Sequence, residues 1–177
     1  MSIRKKNKPN KKGRNDNVPW RRFVRLGHDL LNQPAYRALS PTARALLVEL
    51  AMLDNGRNNG SLYLSVRDGA DRLGLVDMTA VRHAFDELQE LGFIALTKDA
   101  CFHVKASENS RARCWRLTWI PVPKQCGATN EYADRQPNPK TKARKRMEAG
   151  LRALKRYRQS RDAGRLPVRD SDTLAPN

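Results

Sequence analysis

The sequence predicts a mainly α-helical fold with a small antiparallel β element (α+β), and three observations carry that expectation. Amphipathic helices with their start and stop residues are written out over 40–53, 65–74 and 77–91. Short apolar or alternating runs of strand length stand before and after the last two of them. The apolar residues of the 177-residue chain are concentrated between two polar, basic ends. Residues 1–22 hold nine Lys/Arg against one acid, 23–123 twelve against eleven, and 124–177 fourteen against six. The net charge of +17 therefore divides into +8, +1 and +8 along the chain. The ends bury too little apolar surface to offset their ordering entropy and are expected to be disordered arms.

Taken in order, residues 1–19 are a basic arm. "WRRFVRL" (20–26) alternates and suits a short edge strand or an extended lead-in. "GHDLLNQPAYRAL" is a short helical stretch that Pro34 must interrupt or restart, because proline has no amide donor. Ser40 then caps a helix with Pro41 in its first position, and Ala43, Leu46, Leu47, Leu50 and Leu53 form its buried stripe. "DNGRNNGS" (54–61) is a turn cluster, and "LYL" (62–64) a very short strand. Ser65 with Asp68 comes close to a capping box, Val66, Ala70 and Leu73 face inward, and Gly74 stops the helix in a left-handed conformation.

Asp77 caps the next helix, whose apolar face is Val81, Ala84, Phe85, Leu88 and Leu91, and Gly92 ends it. "FIAL" (93–96) is a strand, a second is expected around Phe102 and Val104, and a polar loop follows. "CWRLTWI" (114–120) is a third strand, placing Trp115, Leu117 and Trp119 on one face by its period of two. Residues 20–123 thus make one domain, 124–140 a linker, 141–164 a basic helix with a thin stripe at Met147, Leu151 and Leu154, and 165–177 a disordered tail.

A chain this basic is expected to bind a polyanion, nucleic acid before any other, although a solubility tail or an address signal would also be basic. The three cysteines form no CxxC pair, the start is polar throughout, and no apolar run approaches a bilayer span. A soluble, reduced, cytoplasmic and nucleoid-associated protein is expected, with no membrane partner. Cys101, His103, Cys114 and Cys126 match no zinc spacing, so no metal and no cofactor is expected. There is no phosphate loop with its lysine, no HExxH and no GxSxG, and the three histidines flank no evident nucleophile. An enzyme with catalytic residues and a small-molecule substrate is not expected.

The order helix, helix, short strand, helix, tight turn, helix, then strands around a basic loop resembles the winged helix-turn-helix family over about 23–120. "LSPTARALLVEL" carries the first core helix, "LSVRDGADRLGL" the positioning helix, "VDMTAVRHAFDELQELGFI" the recognition helix with the first wing strand, and "ARCWRLTWI" the last wing strand. "ALSPTARALLVEL" with "LQELGFI" is similar to modules of plasmid and phage replication or regulatory proteins. The resemblance implies sequence-specific binding of double-stranded DNA, as a transcriptional regulator or a replication-associated origin binder of a mobile element.

In that reading the first turns of helix 77–91 enter the major groove. Met78, Thr79, Arg82 and His83 face base edges, with Asp86, Glu87 and Glu90 following on the same side. A bland alternative pairs Arg82 with Asp86 on a solvated face. Ser65 and Arg67 on the positioning helix, and Lys98, Lys105, Arg111 and Arg113 on the wing, are expected at the DNA backbone. Arg4, Lys5, Lys6, Lys11 and Lys12 in the first arm, and Arg144, Lys145 and Arg146 in the last helix, would follow phosphates without specificity. Residues 141–164 could also serve a homodimer or another protein partner. The rival functions are an RNA-binding or ribonucleoprotein component and a protein-interaction winged helix.

Overall fold

The computed structural model describes residues 23–98, 113–123 and 126–164. The expected strand around Phe102 and Val104, the first arm and the last tail lie outside the described residues. The elements run α1 (His28–Leu31), α2 (Pro34–Ala38), α3 (Pro41–Met52), β1 (Leu62–Tyr63), α4 (Val66–Leu73), α5 (Met78–Glu90), β2 (Ile94–Lys98) and β3 (Cys114–Leu117). A 3₁₀ turn (Glu131–Ala133) and α6 (Lys142–Asp162) follow. Helices with a small antiparallel sheet are thus the architecture, in the order β1-β3-β2.

The local signals act as their chemistry dictates. Pro34 occupies the start of α2 after the break at Asn32 and Gln33, as a residue without an amide donor must. Ser40 Oγ accepts from Ala43 N at 3.2 Å and Ser65 Oγ from Asp68 N at 3.0 Å. Gly74 has φ +65° and ends α4. Of the stretch 20–26, expected as a short edge strand or an extended lead-in, the described residues 23–26 are not paired into the sheet, and Phe23 stays exposed. The strand expected over 114–120 stops at Leu117, because Thr118 turns inward to donate its hydroxyl to Gly92 O at 2.8 Å. Trp119 is consequently only half-buried, whereas Trp115 and Leu117 are in the core.

The core joins Leu46, Leu47 and Leu50 of α3 to Val81, Ala84, Phe85 and Leu88 of α5, and then to Trp115 and Leu117 of the sheet. β1 is held by Asn59, a buried residue of the turn cluster. Its Nδ2 donates to Leu117 O (2.9 Å) and Ile120 O (2.7 Å), while its Oδ1 accepts from Leu117 N (2.8 Å). The turn and the exit of β3 are thereby one unit, which turn propensity alone does not reveal.

The segment expected as a linker is packed in its second half. Tyr132 is buried, its ring stacked on Phe93 with centroids 5.1 Å apart and planes 5° from parallel, and Pro137 is buried too. α6 does not float free either. Met147 is buried, Ala143 and Leu151 lie against the core, and the helix packs on α2. Gly150 permits the close approach, since a Cβ there would stand 3.1–3.4 Å from the Arg37 stem.

Glu87 fastens this layer. Expected on the solvated side of α5, it instead accepts from Ser40 N at 2.9 Å and from Arg146 Nη2 at 2.7 Å. Arg146 Nε also donates to Ala38 O at 2.8 Å. Replacing Glu87 by Ala leaves Arg146 and the Ser40 amide without their acceptor, and is expected to cost about 1–2 kcal/mol. Hydrogen exchange should show the loss first in the amides of α6 and last in those of α5.

Candidate nucleic-acid interface

The geometry of α5 decides which side chains can meet a ligand. Asp77 caps it, accepting from Thr79 N at 2.8 Å. One face is fixed by burial of Val81, Ala84, Phe85 and Leu88. α4 crosses that face closely because residue 69 is glycine: a Cβ there would lie 3.1 Å from Val81 Cγ1. On the sheet side Phe85 stacks on Trp115, centroids 5.1 Å apart and planes 16° from parallel. A helix held from both sides has a single free surface.

Met78, Thr79, Arg82 and His83 are all exposed on it. Arg82 forms no ion pair with Asp86 or any other described carboxylate, so its planar fork of donors is uncommitted. The turn before them adds exposed apolar side chains, Leu75 and a wholly exposed Val76. The positive end of the helix dipole coincides with this cluster. Asp86 and Glu90 are exposed farther along, while Glu87 is withdrawn into its tether.

The hairpin is aimed at the same end. Trp115 stacks on Phe85 and pairs with Leu96, so β2 returns along α5 from its C-terminal end. Lys98, two residues beyond Leu96 across a bulge in the pairing, is carried toward the Met78 end and lies opposite Cys114, beside Arg113. Lys98 and Arg113 are both exposed. Lys105 and Arg111 lie outside the described residues, as do Arg4, Lys5, Lys6, Lys11 and Lys12.

Arg67 is exposed, but at the start of α4, a helix length of about 10 Å from the turn. The Ser65 hydroxyl is committed: it accepts from Asp68 N and donates to Asp68 Oδ2 at 2.6 Å. Two of the three cations assigned to phosphate on α6 are also engaged. Arg144 donates to Glu148 (2.8 Å) and Gln136 (3.2 Å), and Arg146 to Glu87 and Ala38 O. Lys145 stays outward, and the exposed cations Arg152, Lys155 and Arg156 follow it along α6. The sequence expects the whole basic stretch "KARKRMEAGLRALKRYRQSR" to follow backbone charge, but nothing local marks which of its cations the fold uses internally.

Cys114 is half-buried and Cys126 exposed. Among the described residues no group of three or more His, Cys, Asp or Glu is placed to hold a metal ion, and no helix is long and apolar enough to cross a membrane. Comparison with protein-family models, with curated proteins and with solved structures yields no match.

Proposed function

We propose that this protein binds double-stranded DNA in a sequence-specific manner through a winged helix-turn-helix, α5 entering the major groove by its first turns. The observation that carries the reading is the pairing of opposites on α5: one face locked into the core, the other presenting Met78, Thr79, an unpaired Arg82 and His83 at the helix start. Three further features support it. α4 and α5 are joined by a tight turn at Gly74. The strand order β1-β3-β2 is the one a winged helix uses, with β1 drawn in from between the core helices. The chain carries +17, which suits a polyanion.

In this arrangement Arg82 donates two bonds to a guanine edge, Thr79 and His83 reach bases or phosphates, and Met78 meets a thymine methyl. Lys98 and Arg113 grip the backbone beside the groove, where they gain by counterion release. A regulator or an origin binder of a mobile element is the biological role that fits such a module.

Selection of bound fragments from a random duplex pool, followed by sequencing, tests the reading directly. A defined motif is the expected result, and an unenriched pool would overturn it. On the selected site, Arg82→Ala is expected to cost about 1–3 kcal/mol and to relax preference at one base position. Wild-type affinity and wild-type preference in that variant would remove α5 from the base-reading role.

A further inference from the structure

Two arginines meet where α6 crosses α2 and the first turn of α3, and a third lies farther along α6. Arg37 lies with its stem against Gly150. Arg44 Nη2 donates to the Arg37 carbonyl at 3.1 Å. Both guanidiniums sit over one ring, with Cζ of Arg37 5.7 Å and Cζ of Arg44 5.1 Å from the Tyr36 centroid. Arg158 lies eight residues, about 12 Å, farther along α6 than Gly150, and its positive charge bears on Arg37.

Like charges gathered in this way oppose folding unless something offsets them. In the described fold the face of the Tyr36 ring does so in part, and two guanidiniums share it. No described carboxylate pairs with Arg37, Arg44 or Arg158, and the Nε atoms of Arg37 and Arg44 are buried without a hydrogen-bond partner. Burial, then the charge of Arg44, pulls the Arg37 guanidinium below its ordinary range; Tyr36 opposes the shift and Arg158 adds to it. Elsewhere the chain pairs its half-buried arginines carefully, as Arg116 with Glu131 at 2.6 Å and Arg146 with Glu87 at 2.7 Å show. A cluster with no carboxylate among the described residues is therefore an exception in this molecule, and planar guanidinium forks match the oxygens of a phosphate.

We propose that Arg37, Arg44 and Arg158 form a seat for a backbone phosphate of nucleic acid, distinct from the base-reading end of α5. The source follows from the charge of the chain, since a polyanion is what +17 holds nearby. This rests on the nucleic-acid reading for where the phosphate comes from, but not on α5. Ser40, which opens α3, bonds to Glu87, nine residues and about 13 Å along α5 from Met78. The seat accordingly adds affinity without selecting bases.

The test uses the full chain, a short mixed-sequence duplex and fluorescence anisotropy over a series of salt concentrations. Arg158→Gln and the double variant Arg44→Gln/Arg158→Gln are expected to bind several-fold more weakly. Their log–log salt slope should be shallower by about 0.9 for one phosphate that is no longer neutralised. Base preference on the selected site should stay that of the wild type. In buffer free of polyanion, Arg158→Gln should melt no lower than the wild type, because a repulsion has been removed. Arg158→Glu should melt higher, supplying a carboxylate to Arg37, and should bind duplex weaker still. Wild-type affinity and slope in the double variant overturn the seat and leave the α5 reading standing, as does a lowered melting point for Arg158→Glu with duplex binding intact. Stabilisation by inorganic phosphate that duplex cannot replace overturns nucleic acid as the source. Failure of the wild-type chain to bind any duplex overturns both proposals.

Discussion

Phe93→Ala is expected to cost about 3–5 kcal/mol. The ring is fully buried between two layers and is their aromatic joint among the described residues. On one side it stacks on Tyr132, and on the other it meets Tyr36 edge to face with centroids 6.2 Å apart. Truncation removes the transfer free energy of the ring and leaves a cavity bounded by α2 and the 3₁₀ turn, which neighbouring rings are too large to fill. Denaturant titration should show a lower midpoint with an unchanged slope. A midpoint within about 1 kcal/mol of the wild type would mean that Tyr132 and Tyr36 close the gap, and that the joint is not where the layers are held.

Gly92→Ala is expected to cost about 2–4 kcal/mol, for two reasons. Residue 92 has φ +75°, a conformation a Cβ penalises by about 1–2 kcal/mol. A Cβ there would also lie 2.9 Å from the carbonyl carbon of Glu131 and 3.0 Å from Tyr132 N, so backbone would have to move. The displaced 3₁₀ turn carries Glu131, whose hydrogen bond from Arg116 at 2.6 Å holds its carboxyl below the usual carboxylate range. Both penalties belong to the L configuration at residue 92. A D-alanine introduced there by semisynthesis satisfies the φ and carries its methyl on the other side of Cα, away from Glu131 and Tyr132, so it should recover most of the loss.

Helices α3, α4 and α5 were legible because their termini are written in local chemistry. Ser40–Pro41, Ser65 and Asp77 start them, Gly74 ends α4, and their apolar stripes recur at helical spacing. The exposed tip of α5 was legible for the same reason, being the complement of a stripe. What was not legible depends on contacts distant in sequence. Glu87 reads as one acid among three until Arg146, 59 residues away, is brought to it. Asn59 reads as a turn former until Leu117 and Ile120 arrive. Tyr132 and Met147 sit in segments too polar to announce a core, and each is buried by a surface that another part of the chain has built. The charge of the last helix was plain, but the division of its cations between internal pairs and solvent was not, since that depends on which residues face α2.

The bond from Arg146 to Ala38 spans 108 residues. A ribosome must therefore release the first turns of α6 before α2 acquires its final cover. Until then the nascent chain holds a finished α3–α5 unit with an open apolar flank, the species most exposed to aggregation and proteolysis during synthesis. A shortened expression clone that stops after β3 reproduces that unfinished species permanently, so a cut near residue 123 gives a poorer protein than one placed beyond α6.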